Sequence, residues 1–213
     1  MTTQTQDETI HMTKKSGKGN ASGVVSELSL YWTVMPGHEQ ALRAAIDRFV
    51  DRVGSLPPEV AIPTGLRDVR LVIFDNGTRF LFGSSFETDW DSYIDDVLLV
   101  VGLPYFLDWV QHLEEGRKIM AWAEQHGITN LDPSDPNVEE TVKRAGAQFK
   151  ALLQEQQVPA ERYVNALGQY TMPEVVKAAR VNQAFQQVLD DPAGSAALMA
   201  SPALKPLVDQ ADV

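Results

Sequence analysis

The sequence predicts an α+β fold in which an antiparallel sheet carries helices on one face. Three observations predict it. Between Val69 and Phe86, two runs of strand-forming residues flank Asp75-Asn76-Gly77, and Asn-Gly is a strong hairpin signal because both central turn residues need positive φ. The return strand leads into Trp90, Tyr93, Ile94, Val97 and Val101, which share one helical face. Upstream, Ser26 to Met35 alternates as a strand does, and His38 to Val53 repeats as a helix does.

Taken in order, residues 1–23 are rich in Thr, Gln, Lys, Gly and Ser and read as a disordered leader. In the first strand Leu28, Leu30, Trp32 and Val34 face one way, and Ser29, Tyr31, Thr33 and Met35 the other. Pro36-Gly37 ends it. The first helix presents Leu42, Ala45, Ile46, Phe49, Val50 and Val53, and Gly54 stops it. Ser55 to Gly65 holds three prolines and reads as a loop. The hairpin follows. Thr88 with Asp91 resembles a capping box for the next helix. Gly102-Leu103-Pro104 breaks or kinks that helix. Helical texture resumes from about Tyr105 and continues past Gly116, and another helix is expected from Pro136 to about Gln156. Arg162 to Tyr170 reads as a fourth strand. Thr171, Pro173 and Glu174 then open a helix, with a stripe of Ala178, Val181, Phe185, Val188 and Leu189.

This order, β-α-β-β-α, a helical insertion at about 103–157, then β-α, is a ferredoxin-like plan with additions. It gives a single domain over residues 24–192, with 193–213 as a tail. Four antiparallel strands would carry helices on one face. The hairpin is apolar on both faces, so the uncovered face should meet a partner or a ligand.

Composition narrows the function. The net charge of −11 speaks against nucleic acid, which favours a basic stripe, and against an anionic membrane surface. No apolar run approaches the roughly 18–20 residues of a membrane-spanning helix. There are no cysteines, so thiolate nucleophiles, disulfides and cysteine-based metal sites are excluded. A cytoplasmic setting is expected. Nucleotide-binding glycine loops, Gly-x-Ser-x-Gly and His-Glu-x-x-His are all missing.

In element order and in the texture of Arg67 to Asp96 and of Tyr163 to Gly168, the chain resembles the dimeric α+β-barrel superfamily. That superfamily includes antibiotic-biosynthesis monooxygenases, related cyclases, and haem-binding chlorite dismutases and dye-decolourising peroxidases. The resemblance covers about two thirds of the chain and includes no diagnostic catalytic motif. It implies two sheets packed face to face in a homodimer, with a cavity on the open face for a small-molecule substrate. It implies oxidation, monooxygenase-like or haem-dependent, or cyclisation of an apolar or aromatic compound. The alternative is a non-catalytic homodimeric ligand-binding or assembly module.

The candidate residues follow from position and chemistry. Tyr31, His38 and Arg70 are the candidate catalytic groups. Arg70 interrupts an apolar strand, where a charge is costly unless paired or wetted, and a guanidinium there suits a carboxylate or enolate oxygen. Pairing with Asp68 is the structural alternative. His38 stands at a strand-to-helix junction and titrates near neutrality. His112, with Asp108 and Glu115 on its helical face, is a candidate haem or metal ligand, though one such motif without a second copy is weak. Asp89, Asp91, Asp95 and Asp96 lack a calcium-loop spacing and suit a helix N-terminus. Thr33, Ser84, Trp90, Tyr93 and Asn165 are candidate substrate contacts. Whether the cofactor is haem or none stays open.

Overall fold

A computed structural model describes residues 17–128 and 138–211 of the chain. They belong to two compact units, Met1–Thr171 and Met172–Val213. The chain is α+β with a four-stranded antiparallel sheet, compatible with a ferredoxin-like plan.

The first unit runs β1 (Ala21–Ser22), β2 (Val25–Thr33), α1 (Glu39–Gly54), α2 (Pro58–Ala61), β3 (Leu66–Phe74), β4 (Arg79–Phe86), α3 (Trp90–Val97), α4 (Leu103–Val110), α5 (Arg117–Gln125) and α6 (Val138–Gln156). The sheet order is β1-β2-β4-β3. β4 sits in the middle, pairing Tyr31 with Leu81 on one side and Val72 with Leu81 on the other. The expected β-α-β-β-α order is present as β2-α1-β3-β4-α3.

The fourth strand is not where the sequence suggests. Arg162 to Tyr170 forms no strand. Asn165 accepts a hydrogen bond from the Leu167 N–H at 3.0 Å, and its own carbonyl accepts from Gly168 at 3.0 Å. This turn coils the segment away from extended geometry. The edge of β2 is instead closed by β1, within the stretch read as a leader, and by two short bridges. Gln157 pairs with Leu30, and Leu113 pairs with Val34.

The hairpin is present, but its loop is longer than two residues. Phe74 pairs directly with Arg79, and Asp75, Asn76 and Gly77 take φ of 52°, 54° and 87°. Three successive left-handed residues need the small or polar side chains found there.

Leu28, Leu30, Trp32, Phe80, Phe82 and Phe86 line the covered face and are buried. Helices α1, α3 and α4 pack on it through aromatic rings. Trp109 stacks on Phe82 at 5.3 Å, Phe49 meets Phe82 edge-on, and Tyr93 stacks on Phe86 at 4.4 Å. Burying such rings supplies both area and shape specificity. Val50, placed by periodicity on the α1 stripe, is exposed.

Helix α3 passes into a π-helical turn, Leu98–Gly102. Gly102 breaks it at φ 104°, and Pro104 lies in the first turn of α4. Arg52 of α1 donates to the Val100 and Val101 carbonyls at 2.7 and 3.0 Å, satisfying acceptors that the break strands. Thr88 does not cap α3; Asp89 precedes its first residue and makes no side-chain cap. Nor does α4 run into α5. The chain leaves helix at residues 111–116 to bridge β2, and a side chain at Gly116 would collide with the Val110 carbonyl.

The second unit holds α7 (Met172–Asp190), α8 (Pro192–Ala200) and α9 (Lys205–Ala211). Residues 172–192, read from sequence as part of the main domain, fall here. Asp191 caps α8 by accepting from the Gly194 N–H at 2.7 Å. The α7 stripe is not a buried one: Val181 and Val188 are exposed. Among the described residues no helix is long and apolar enough to cross a membrane.

Candidate functional site

Two places gather the residues that chemistry singles out. The first is the open face of the sheet. Residues paired across an antiparallel ladder project to the same side. The register therefore sets Glu27, Ser29, Tyr31 and Thr33 of β2 beside Ser85, Gly83, Leu81 and Arg79 of β4. Asp68, Arg70, Val72 and Phe74 of β3 complete the face. Tyr31, Val72 and Phe74 are 42%, 43% and 39% exposed, the last two on the edge strand β3.

Arg70 lies across Gly83, where a side chain at position 83 would meet its guanidinium at about 3.6 Å. A glycine inside a central strand leaves room for something to approach the backbone, and here the guanidinium takes that room. Its anionic neighbour is Asp68, with Nε to Oδ1 at 3.4 Å and both side chains largely exposed. That contact is too long for a good hydrogen bond. Arg70 is thus weakly paired and accessible, next to the apolar row Tyr31, Leu81 and Val72.

Thr33 is tied to Glu115, whose carboxylate accepts from the Thr33 N–H at 2.6 Å and from its hydroxyl at 3.0 Å. Glu27 is 2% exposed. It accepts from the N–H groups of Asn20 and Ala160, each at 3.0 Å, and from the Ser29 hydroxyl at 2.9 Å. Sequence reasoning passed over Glu27 and Gly83, and assigned Glu115 to His112 rather than to Thr33. A mid-strand glycine was the available signal for Gly83; Glu27 gave none.

The other predicted contacts lie elsewhere. Ser84 faces the helices, fully buried, on the side of Leu28 and Val69. The Phe80, Phe82, Phe86 alternation already places it there. Trp90 and Tyr93 are core residues, 1% and 3% exposed. Burial pushes the Tyr93 phenol well above its ordinary pKa, with the Ser84 hydroxyl opposing and Asp68 adding to the rise. Asn165 shapes its turn, its amide 3.4 Å from the Tyr163 hydroxyl.

The second place is a histidine pair. His38, just before α1, and His112, just after α4, meet with their Nδ1 atoms 3.1 Å apart. Their rings are tilted by 58° with centroids 5.3 Å apart. The backbone fixes both. His38 N–H donates to the Met35 carbonyl, Met35 N–H donates to the His112 carbonyl, each at 3.0 Å, and Glu114 N–H donates to the Thr33 carbonyl at 2.9 Å. Burial lowers the His112 pKa, with His38 and Arg48 pushing the same way and Asp108 opposing. Asp108 is gripped by Arg48 through two hydrogen bonds of 2.7 and 3.1 Å. Glu115, expected beside His112, serves Thr33 instead. Thus His38 and His112 come together, Tyr31 and Arg70 share the open face, and the two groups of residues occupy different places.

Compared with protein-family models, curated proteins and solved structures, the chain finds no match.

Proposed function

We propose that the protein is a homodimeric small-molecule enzyme of the dimeric α+β-barrel type, working on an apolar or aromatic substrate held against the open sheet face. The observation that carries this reading is Arg70 laid over Gly83 beside the apolar row of Tyr31, Leu81 and Val72, of which Tyr31 and Val72 are exposed. Apolar sheet surface of this kind is covered in most proteins. Asp68 and Arg70 lie two residues apart on that face, so a two-fold axis passing close to them would set the acid of one copy near the guanidinium of the other. Between the sheets, a guanidinium freed from bulk water would hold a carboxylate or a developing oxyanion. Tyr31 would donate or accept the accompanying hydrogen bond. Cyclisation of an enolisable aromatic compound, or its oxidation with dioxygen as the electron acceptor, fits these groups, with confinement supplying orientation.

The test couples sedimentation to binding. The purified chain should sediment as a dimer and bind members of a panel of aromatic carboxylates and enolisable phenols by calorimetry. Arg70→Ala should weaken that binding roughly 10- to 100-fold, the worth of about 1.5–3 kcal/mol for a hydrogen bond to a charged group. Tyr31→Phe should weaken it less. A folded monomer, or binding indifferent to Arg70, overturns the proposal.

A second reading draws on the Asp68–Arg70 contact itself. If Asp68 is the only anion Arg70 serves, the face is an assembly surface and the protein a non-catalytic module. That reading expects a dimer that binds no member of the panel.

A further inference from the structure

We propose that His38 and His112 form a two-imidazole site for a borderline divalent cation, Zn2+, Ni2+ or Cu2+. The pair is independent of the open-face reading and rests on different residues. Two Nδ1 atoms that stay near their present 3.1 Å separation would subtend roughly 100° at an ion ~2.05 Å from each. That angle lies between the square-planar and tetrahedral values these metals adopt.

The two ligands come from segments 74 positions apart, yet both hang on the end of β2. The Met35 backbone links them, its carbonyl receiving the His38 N–H and its own N–H reaching the His112 carbonyl. The Cα positions are therefore set before any ion arrives, which lowers the entropy cost of chelation. Among the described residues each Nδ1 hydrogen-bonds only to the other; one of the two carries the proton, and its transfer to that ring's Nε2 leaves both Nδ1 lone pairs free for an ion. The rings now meet nearly end to end. Converging on one ion takes a turn of each about its Cβ–Cγ bond, a broad and soft torsion for histidine. Both residues are half-buried rather than sealed, which leaves room for that turn.

Among the described residues no third ligand is at hand: no group of three or more His, Asp or Glu side chains is arranged to hold a metal, and Asp108 is already engaged by Arg48. Water would complete the coordination. The site should bind moderately, exchange freely, and leave positions open to a substrate or a partner's ligand. Imidazole ligands favour these metals over Mg2+ and Ca2+, which take oxygen.

The experiment is titration of the full, chelator-treated chain with Zn2+, Ni2+ and Cu2+ by calorimetry, with electron paramagnetic resonance of the Cu2+ form. His38→Gln and His112→Gln are the test variants, because glutamine keeps a polar group in place while removing the imidazole; circular dichroism checks their fold. His11→Ala and His126→Ala are the controls. Expected are one ion per chain, nitrogen hyperfine from two imidazoles, and about tenfold or greater weakening in each glutamine variant. Should either variant prove unfolded, the hyperfine pattern of the unaltered protein decides, two equivalent imidazoles supporting the site. Uptake unchanged in both glutamine variants, or lost in a control, overturns the proposal and leaves a hydrogen-bonded pair.

Discussion

The hairpin of β3 and β4 and the outer edge of β2 do the same job, supplying backbone partners to a strand, by opposite means. The hairpin is an unbroken ladder from Phe74 and Arg79 to Val69 and Ser84, with one irregularity near Leu66. Every partner lies within a few tens of residues, and one turn sets the register. The β2 edge is closed by fragments from residues 21–22, 112–114 and 157–158. The first is joined to β2 by the tight turn at Gly23-Val24, whereas the other two reach it from far along the chain. A buried carboxylate, Glu27, pins two of these stretches at once through Asn20 and Ala160. The difference teaches that the same sheet holds one half by local geometry and the other by a side chain acting over long range.

Breaking that carboxylate should have the largest effect. Glu27→Ala takes the partner from two backbone N–H groups and the Ser29 hydroxyl at a part-buried site. At about 1 kcal/mol for each group that water can partly reach, a loss of roughly 2–4 kcal/mol in denaturant unfolding is expected. Hydrogen exchange should accelerate first at Asn20 and Ala160, while β3 and β4 stay protected. Equal acceleration in the hairpin would mean that the two halves are one cooperative unit.

Gly77→Ala attacks the other half. Its φ of 87° is a conformation that costs an L-residue about 1–2 kcal/mol. A side chain there also meets the Glu39 carboxylate, the movable end of an exposed group. The expected loss is about 1–2 kcal/mol, with exchange quickening at residues 74–79 and no change at Ala160. A stability loss that spares the hairpin amides contradicts a register set at the turn.

This contrast also explains what could be read in advance. β2, α1, the hairpin and α3 announce themselves because alternation and helical period are local properties. Arg162 to Tyr170 imitates a strand through Tyr163, Val164 and Leu167, yet Val164 is 86% exposed and Asn165 builds a turn. Alternation reports side-chain texture, whereas a strand needs a ladder partner, and Glu27 and β1 had taken the edge. β1, of two residues, is too short for any period. At the candidate sites, Tyr31, Arg70, His38 and His112 were legible as residue types in suggestive places. That the two histidines touch was not, because the contact depends on residues 111–116 leaving helix to bridge β2. Ser84 was legible on the covered side, since it shares parity with three phenylalanines.

Tyr93 tests the covered face of the hairpin with pH. Its folded pKa is raised above the ordinary value near 10, so the fold favours the neutral phenol. Below pH ~10 both states are neutral and the contribution is complete. Above it the unfolded chain releases the proton and the folded chain does not, and stability falls by up to about 1.4 kcal/mol per pH unit. The gap in stability between the unaltered protein and Tyr93→Phe should therefore shrink as pH rises past 10. A gap that stays constant to pH 11 and beyond would show the phenol to be solvated, and the Phe86 stack open.

The smallest effect belongs to the open face. Asp68 and Arg70 are 3.4 Å apart with side chains 47% and 61% exposed, a geometry whose net worth is within about 0.5 kcal/mol of zero. Asp68→Asn should leave the unfolding midpoint and the hairpin's exchange protection where they were, because turn and covered face already fix the ladder. What should change is the guanidinium. Freed from its weak partner, Arg70 should bind an aromatic carboxylate more tightly, by a few-fold, if a ligand is what it serves. If it serves only the partner copy's Asp68, the same substitution should leave ligand binding absent and weaken the dimer in sedimentation. One conservative change, silent in stability, thus separates an enzyme's anion site from an assembly contact.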